Sequence, residues 1–275
     1  MVDRLSAYAR SGGLGVALLG TDVVYAEWLS APVNREDIPL PHSATDGRPA
    51  RLVDWSRSLV VQMTDFLSVR DLKGSTLGEI EQPANVDGCV FNREAMALLF
   101  WGRRRQGTDY GVYLGDLRSG TTRTINEWAP GSAPADLNVT ASFVDHDATV
   151  VRIASGLRSY EVRTSGAQVG SDPWHIQWAE GSSDGRLVAG RGANGNLVII
   201  NLAPSKTWDT GIPIIGEIRW DPSSRYVLGV KPTPGLPWSA QTEIVILDVE
   251  MRASAEFPAL APDERYHTYE WILRT

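Results

Sequence analysis

Short apolar runs of about five residues recur along the chain, separated by turns rich in glycine, aspartate or proline. Examples are Leu59-Val60-Val61, Phe66-Leu67-Ser68-Val69, Met96-Ala97-Leu98-Leu99, Val198-Ile199-Ile200 and Ile244-Val245-Ile246. Period-two alternation and short continuous runs bounded by turn residues both describe β-strands, half-buried or buried on both faces. The pattern therefore predicts an all-β protein. The apolar stretch Leu14 to Leu19 is read as a strand too, because it is far shorter than a bilayer crossing or a signal core requires.

The runs are periodic. An acidic or amide residue followed by an apolar one ends a strand at Glu27-Trp28, Asp71-Leu72, Asp116-Leu117, Glu161-Val162, Asn201-Leu202 and Asp248-Val249, at intervals of 44, 45, 45, 40 and 47 residues. Gly74, Gly120 and Gly166 follow three of these marks as turn residues. A second series interleaves with the first and places an aromatic residue ahead of a turn and an apolar strand: Trp55, Phe91, Phe143, Trp178, Trp220 and Trp271. Each repeat of about 44 residues then holds four strands, the unit of a propeller blade. Six marks predict a six-bladed β-propeller of four-stranded antiparallel blades in one domain, with blades at 14–42 plus 267–275, 51–82, 87–128, 138–173, 174–213 and 214–260. The N-terminal repeat lacks a first strand and the segment at Trp271 lacks the other three, so the C-terminal strand is expected to join the N-terminal blade and close the ring.

Two segments carry a resemblance at the level of residues. Ile218-Arg219-Trp220-Asp221-Pro222-Ser223-Ser224-Arg225-Tyr226 and Ile176-Gln177-Trp178-Ala179-Glu180-Gly181-Ser182-Ser183-Asp184-Gly185 resemble the repeat of TolB-type propellers and, more distantly, WD40 repeats; Trp55-Ser56-Arg57-Ser58-Leu59 does so weakly. The resemblance implies a fold. Propellers of this kind serve as adaptors, lectin-like modules, protease gates and parts of enzymes, so function is left to the site.

Charge and chemistry narrow the field. The net charge of −7 opposes binding to nucleic acid or an anionic membrane, and suits a basic protein partner. The single cysteine, Cys89, is read as a small buried residue, which fits a reducing, cytoplasmic location. Zinc spacings and a nucleophile elbow are missing from the sequence, and the four histidines, His42, His146, His175 and His267, lie far apart; no metal or cofactor is expected. Gly190 to Gly195 reads as a hairpin turn rather than a phosphate loop.

The functional expectation rests on loops. In a propeller, second-to-third strand loops and blade-to-blade loops emerge at the same end. The loop from Trp101 through Arg103, Arg104 and Arg105 to Tyr110 in the third blade, and the proline-stiffened loop bearing Trp238 in the sixth, are enlarged and face each other across the ring. Trp, Tyr and Arg are the residue types enriched at binding hot spots. The leading reading is a non-catalytic, monomeric propeller that binds a protein through Trp101, Arg103, Arg104, Arg105, Tyr110 and Trp238, including the case of an inhibitor or immunity protein. The alternative is a propeller that binds or cleaves carbohydrate, using its tryptophans for stacking and a carboxylate pair drawn from Asp54, Asp87, Asp145, Glu180 and Asp221.

Overall fold

The computed structural model describes residues 14–19, 22–28, 34–54, 57–82, 84–104, 109–128, 139–144, 147–155, 158–172, 176–182, 184–221, 223–232, 243–257 and 269–273. Apart from one short helix, α1 (His42–Thr45), the regular elements among these are strands. Strands β1 (Leu14–Leu19), β2 (Val23–Trp28) and β3 (Asn34–Pro39) open the chain. A second blade follows with β4 (Ala50–Asp54), β5 (Ser58–Gln62), β6 (Phe66–Asp71) and β7 (Thr76–Glu81), and a third with β8 (Gly88–Asn92), β9 (Ala97–Arg103), β10 (Tyr110–Asp116) and β11 (Thr121–Trp128). The fourth holds β12 (Val139–Phe143), β13 (Val150–Ser155), β14 (Arg158–Arg163) and β15 (Gln168–Asp172), and the fifth β16 (Gln177–Gly181), β17 (Leu187–Arg191), β18 (Asn196–Leu202) and β19 (Ser205–Pro213). The sixth is β20 (Ile215–Trp220), β21 (Tyr226–Lys231), β22 (Glu243–Asp248) and β23 (Ala253–Phe257). Finally β24 (Tyr269–Leu273) returns to β1, giving six four-stranded antiparallel sheets in a ring. The six-bladed propeller and its closure by the C-terminal strand are as expected from the repeat.

The core of this ring is a set of slabs between blades, which explains the apolar runs. Alternate residues of one strand face opposite neighbours. In the second blade Leu52, Leu59 and Val61 pack with Ala17, Leu19 and Trp28 of the first, whereas Val53, Val60, Leu67 and Val69 pack with Phe91, Leu98 and Phe100 of the third. Both parities are buried, so the inner strands read as continuous apolar stretches. Outer strands have one neighbour fewer, and from Thr207 onward β19 alternates between exposed and half-buried positions.

The strand-end marks have a local cause. The Asp71 carboxylate accepts from the backbone N–H of Lys73 and Ser75, at 2.9 and 2.8 Å. Asp116 accepts from Arg118 N–H, Asn201 from Ala203 N–H and Asp248 from Met251 N–H. Each residue thus caps the turn between the third and fourth strands of its blade. The Arg118 N–H, with help from the Ser119 hydroxyl, holds the Asp116 carboxyl below its ordinary range although burial pulls the other way. Gly74, Gly120 and Gly166 complete three of these turns at φ of +88°, +74° and +98°.

Two marks sit elsewhere than the sequence spacing suggests. In the fourth blade the turn position is Arg163, whose carbonyl accepts from Gly166 N–H as the Asp71 carbonyl does from Gly74 N–H, while Glu161 lies two residues back in the strand and binds Arg152. In the first blade Trp28, not Glu27, pairs with Gly15 at the strand end and is 1% exposed.

The ring is joined at its seam by tryptophans and a chain of charges. Trp220 Nε1–H donates to the Glu180 carbonyl of the preceding blade at 2.9 Å, and Trp271 Nε1–H donates to the Arg219 carbonyl at 3.0 Å. Between them the Arg219 guanidinium bridges Glu180 and Glu270, each at 3.1 Å, tying β16, β20 and β24 together. Trp178 does not repeat this role. It stands in a bulge of β16 at φ +51°, with Arg191 stacked 5.4 Å from its ring, and the position equivalent to Trp220 is Gly181. The hydrogen-bond pattern fixes that equivalence, because Ser182 pairs with Leu187 as Asp221 pairs with Tyr226.

Two outcomes follow for stability. Trp271→Ala removes a 1% exposed side chain and the seam hydrogen bond, and should cost roughly 3–5 kcal/mol in denaturant unfolding; Trp271→Phe, which keeps most of the ring, should cost about half as much or less. A variant as stable as the parent would show that the seam contributes nothing. Burial pushes the Tyr160 phenol up to about 12, against a smaller opposing pull from Asn126. The folded state therefore keeps a proton that the unfolded chain releases near pH 10, so stability should fall between pH 10 and 12. Tyr160→Phe should reduce that fall in unfolding measured against pH.

Candidate functional site

The connections between blades and the second-to-third strand loops emerge at one end of the ring, and there the structure opens a cleft of about 470 Å³. It lies over the inner strands of the second blade. Ala50 and Arg51 come from the start of β4, Val60 from the middle and Gln62 from the end of β5, and Leu67 from the start of β6. Leu19 at the end of β1 bounds one side and Val86, in the connection to the third blade, the other. Thr45, Gly47, Arg48 and Pro49 form the remaining wall.

That wall is a built segment. After β3 the chain turns into α1, which buries Ala44 in the slab between the first and second blades. Asp46 takes the left-handed conformation at φ +53° to end the helix, and Gly47 N–H donates to the Thr45 hydroxyl. Arg70, 8% exposed on β6, anchors the segment from below: its guanidinium donates to the Ser43 carbonyl at 2.7 Å and to the Asp46 carboxylate at 2.6 Å, and its Nε–H to Ser68 Oγ. A buried arginine thus fixes where Thr45 stands, and the Arg48 N–H in turn bonds to the Thr45 carbonyl. Arg48 and Arg51, by contrast, make no ion pair among the described residues.

At the same end lies the third-blade loop singled out from the sequence. Its aromatic residues are inside the fold. Trp101 and Tyr110 are each 2% exposed and belong to the slab between the third and fourth blades, where Tyr110 also meets Trp128. Their place on the binding rim is corrected accordingly: both sit within the paired lengths of β9 and β10, whose side chains pack against the neighbouring sheet. Within its own sheet the Trp101 ring lies across its cross-strand partner Gly88, where a Cβ would lie 2.3 Å from it. Gly102 has a similar duty, because the connection from the second blade runs alongside it and Asn85 O would meet its Cβ at 1.6 Å. That connection bonds Asn85 N–H to Arg103 O and Asp87 N–H to Trp101 O, so the backbone carrying the arginines is held firmly.

Arg103 and Arg104 are exposed. Arg104 pairs with Glu127 at 3.1 Å, a surface contact of small energetic weight, and Arg103 has no ionic partner among the described residues. Arg105 and Trp238 lie outside the described residues, as do His146, His175, His267, Asp145 and Trp55. His42 is exposed beside the cleft wall.

Two of the carboxylates proposed for catalysis are occupied by other groups. Asp221, 2% exposed, accepts from the N–H groups of Ser223, Arg225 and Tyr226 and so shapes the turn after β20. Glu180 is held by Arg219 and by Trp220 N–H. Asp87 is exposed. Among the described residues no three His, Cys, Asp or Glu side chains come together as a metal site, and no helix is long and apolar enough to cross a membrane. Gly192 to Gly195 forms the expected hairpin turn.

No family model and no curated protein matches the chain in sequence. Solved structures do match in fold. TolB from Acinetobacter baumannii is similar over 96% of this chain and 67% of its own, at 12% identity and a TM-score of 0.67. A chain of a nidogen/laminin complex matches 94% of this chain and 98% of its own, at 9% identity and a TM-score of 0.62. Hydrazine synthase from Kuenenia stuttgartiensis matches 78% of this chain and 66% of its own, at 14% identity and a TM-score of 0.50. At these identities the likeness is one of architecture, and the chain is a six-bladed β-propeller resembling TolB in fold.

Proposed function

We propose that this propeller is a non-catalytic binding module that takes a protein partner at the end where its blade connections emerge. The observation that carries the reading is the exposed pair Arg103 and Arg104, set on backbone that the neighbouring connection and the β9–β10 ladder hold in place. Rigidly based arginines lose little freedom on binding and form directional hydrogen bonds, which favours them as contact residues. In the sequence Arg105 follows directly, and Trp238 falls in the long stretch between β21 and β22. Two features add support. Trp220 and Trp271 are spent on joining blades, and Glu180 and Asp221 are engaged by arginine or by backbone N–H groups, which withdraws these four from stacking on sugars or cleaving them. A solved neighbour in fold is a chain of a protein complex, nidogen with laminin.

The arginines call for acidic groups on the partner's contacting surface. A basic partner, which the net charge of −7 suits, would be drawn to the molecule as a whole but repelled at this rim. An inhibitor or immunity protein in the cytoplasm is one form this module takes. Reversing Arg103, Arg104 and Arg105 to glutamate together with Trp238→Ala should abolish co-purification of a stoichiometric partner from the cell of origin. Unfolding stability should change by less than about 1 kcal/mol, since these are surface positions. Undiminished capture by the variant would place the interface elsewhere.

A further inference from the structure

We infer that the cleft over the second blade is a small-molecule site for an organic carboxylate carried on an apolar body. The inference goes beyond the protein-binding reading and does not depend on it.

Two observations meet there. The first is charge. The described arginines in the body of this protein are heavily used: Arg70, Arg152, Arg219 and Arg225 are all engaged by carboxylates. Arg48 and Arg51 both line the cleft, and neither has a carboxylate partner among the described residues. Arg51 is half-buried. A guanidinium partly removed from water gains more from an anion than an exposed one does, and its planar fork matches the two oxygens of a carboxylate.

The second is the lining. Pro49 and Val86 provide apolar surface beside the arginines, over a floor of the buried Leu19, Val60 and Leu67, while Thr45 and Gln62 supply polar groups. A volume near 470 Å³ falls in the range of sites for small ligands. All the lining residues come from one short arc of the ring, between the end of β1 and the approach to β8, so the cleft is a local cup rather than a groove across the face. A bare inorganic anion would leave the apolar wall uncovered, and a neutral apolar molecule would leave the arginines without a partner. An amphipathic carboxylate satisfies both.

The wall is also preorganised. Arg70 clamps the 43–46 segment, so Thr45 is positioned without the ligand, and the Arg48 backbone with it through its N–H bond to the Thr45 carbonyl.

The experiment is calorimetric titration of the full chain with benzoate and hexanoate, beside benzamide and hexanol as neutral counterparts and inorganic phosphate as a bare anion. The carboxylates should bind at least about tenfold more tightly than the neutral compounds and than phosphate, given that charge-assisted hydrogen bonds distinguish them. Arg51→Gln and Arg48→Gln should each weaken benzoate binding by about tenfold. The ligand-free melting temperature should stay within a few degrees, which separates loss of the site from loss of the fold. Arg51→Lys, which keeps the charge but not the fork, should fall between the parent and Arg51→Gln. Equal binding of benzoate and benzamide, equal binding of phosphate and benzoate, no binding of either carboxylate, or carboxylate binding untouched in the Arg48→Gln/Arg51→Gln double variant would each overturn the assignment. Because the partner is sought with the third- and sixth-blade loops altered and these variants lie in the second, either reading can fail while the other stands.

Discussion

The antiparallel ladder that joins Leu14–Leu18 to Tyr269–Leu273 decides whether the other strands make a ring at all. Each blade is a small sheet with two apolar faces, and only a neighbour on both sides can cover them. In an open chain of blades the two terminal ones would each leave a face wet. Completion of the first blade by β24 converts a row into a circle, and the Arg219 bridge between Glu180 and Glu270 then ties three consecutive inner strands across the seam. These ions are largely buried, so their value lies in their mutual satisfaction; removal of Arg219 alone would strand two carboxylates in a poorly solvated place. The indoles of Trp220 and Trp271 act in parallel, each reaching one blade back to a carbonyl.

Sequence periodicity found the ring and its closure because both depend on the burial of alternate residues, which repeats regardless of identity. Register was less legible. The fifth blade misled because Trp178 stands in a bulge: it precedes its blade's next strand by three residues more than Trp220 does, and the surplus was the available signal. Where Trp220 fills the space between blades, Gly181 leaves it to the Arg152 guanidinium, whose nearest nitrogen would lie 3.5 Å from a Cβ at that glycine. Glu161 imitated a strand-end cap for a related reason. It is the charged partner of that same Arg152, so an acidic residue appeared near the right spacing with a different job. The structure thus exchanges an indole for an ion pair between the fourth and fifth blades, and pattern reading has no means to tell one filling from the other.

The site divides along similar lines. Loop length drew attention to Arg103 and Arg104, whose exposure follows from their position at and just beyond the end of β9. Residue type alone then misassigned Trp101 and Tyr110, because an aromatic residue beside a loop is as useful to a sheet interface as to a partner. The opposite error concerns Arg48 and Arg51. Nothing marks them among the chain's other arginines until carboxylate neighbours are assigned, and only then do they stand out as cations without counterparts lining an apolar cup.

The closing strand has a temporal side as well. During synthesis β1 emerges early and finds β2 within a few residues, but its other edge has no mate until β24 follows, after the residues of five further blades have been made. At about 5–20 residues per second that interval is on the order of ten to fifty seconds. Throughout it β1 offers an unsatisfied row of N–H and C=O groups alongside apolar side chains, the kind of surface that chaperones cover. The architecture that leaves the mature ring without an open seam therefore makes its first strand the one with the longest wait.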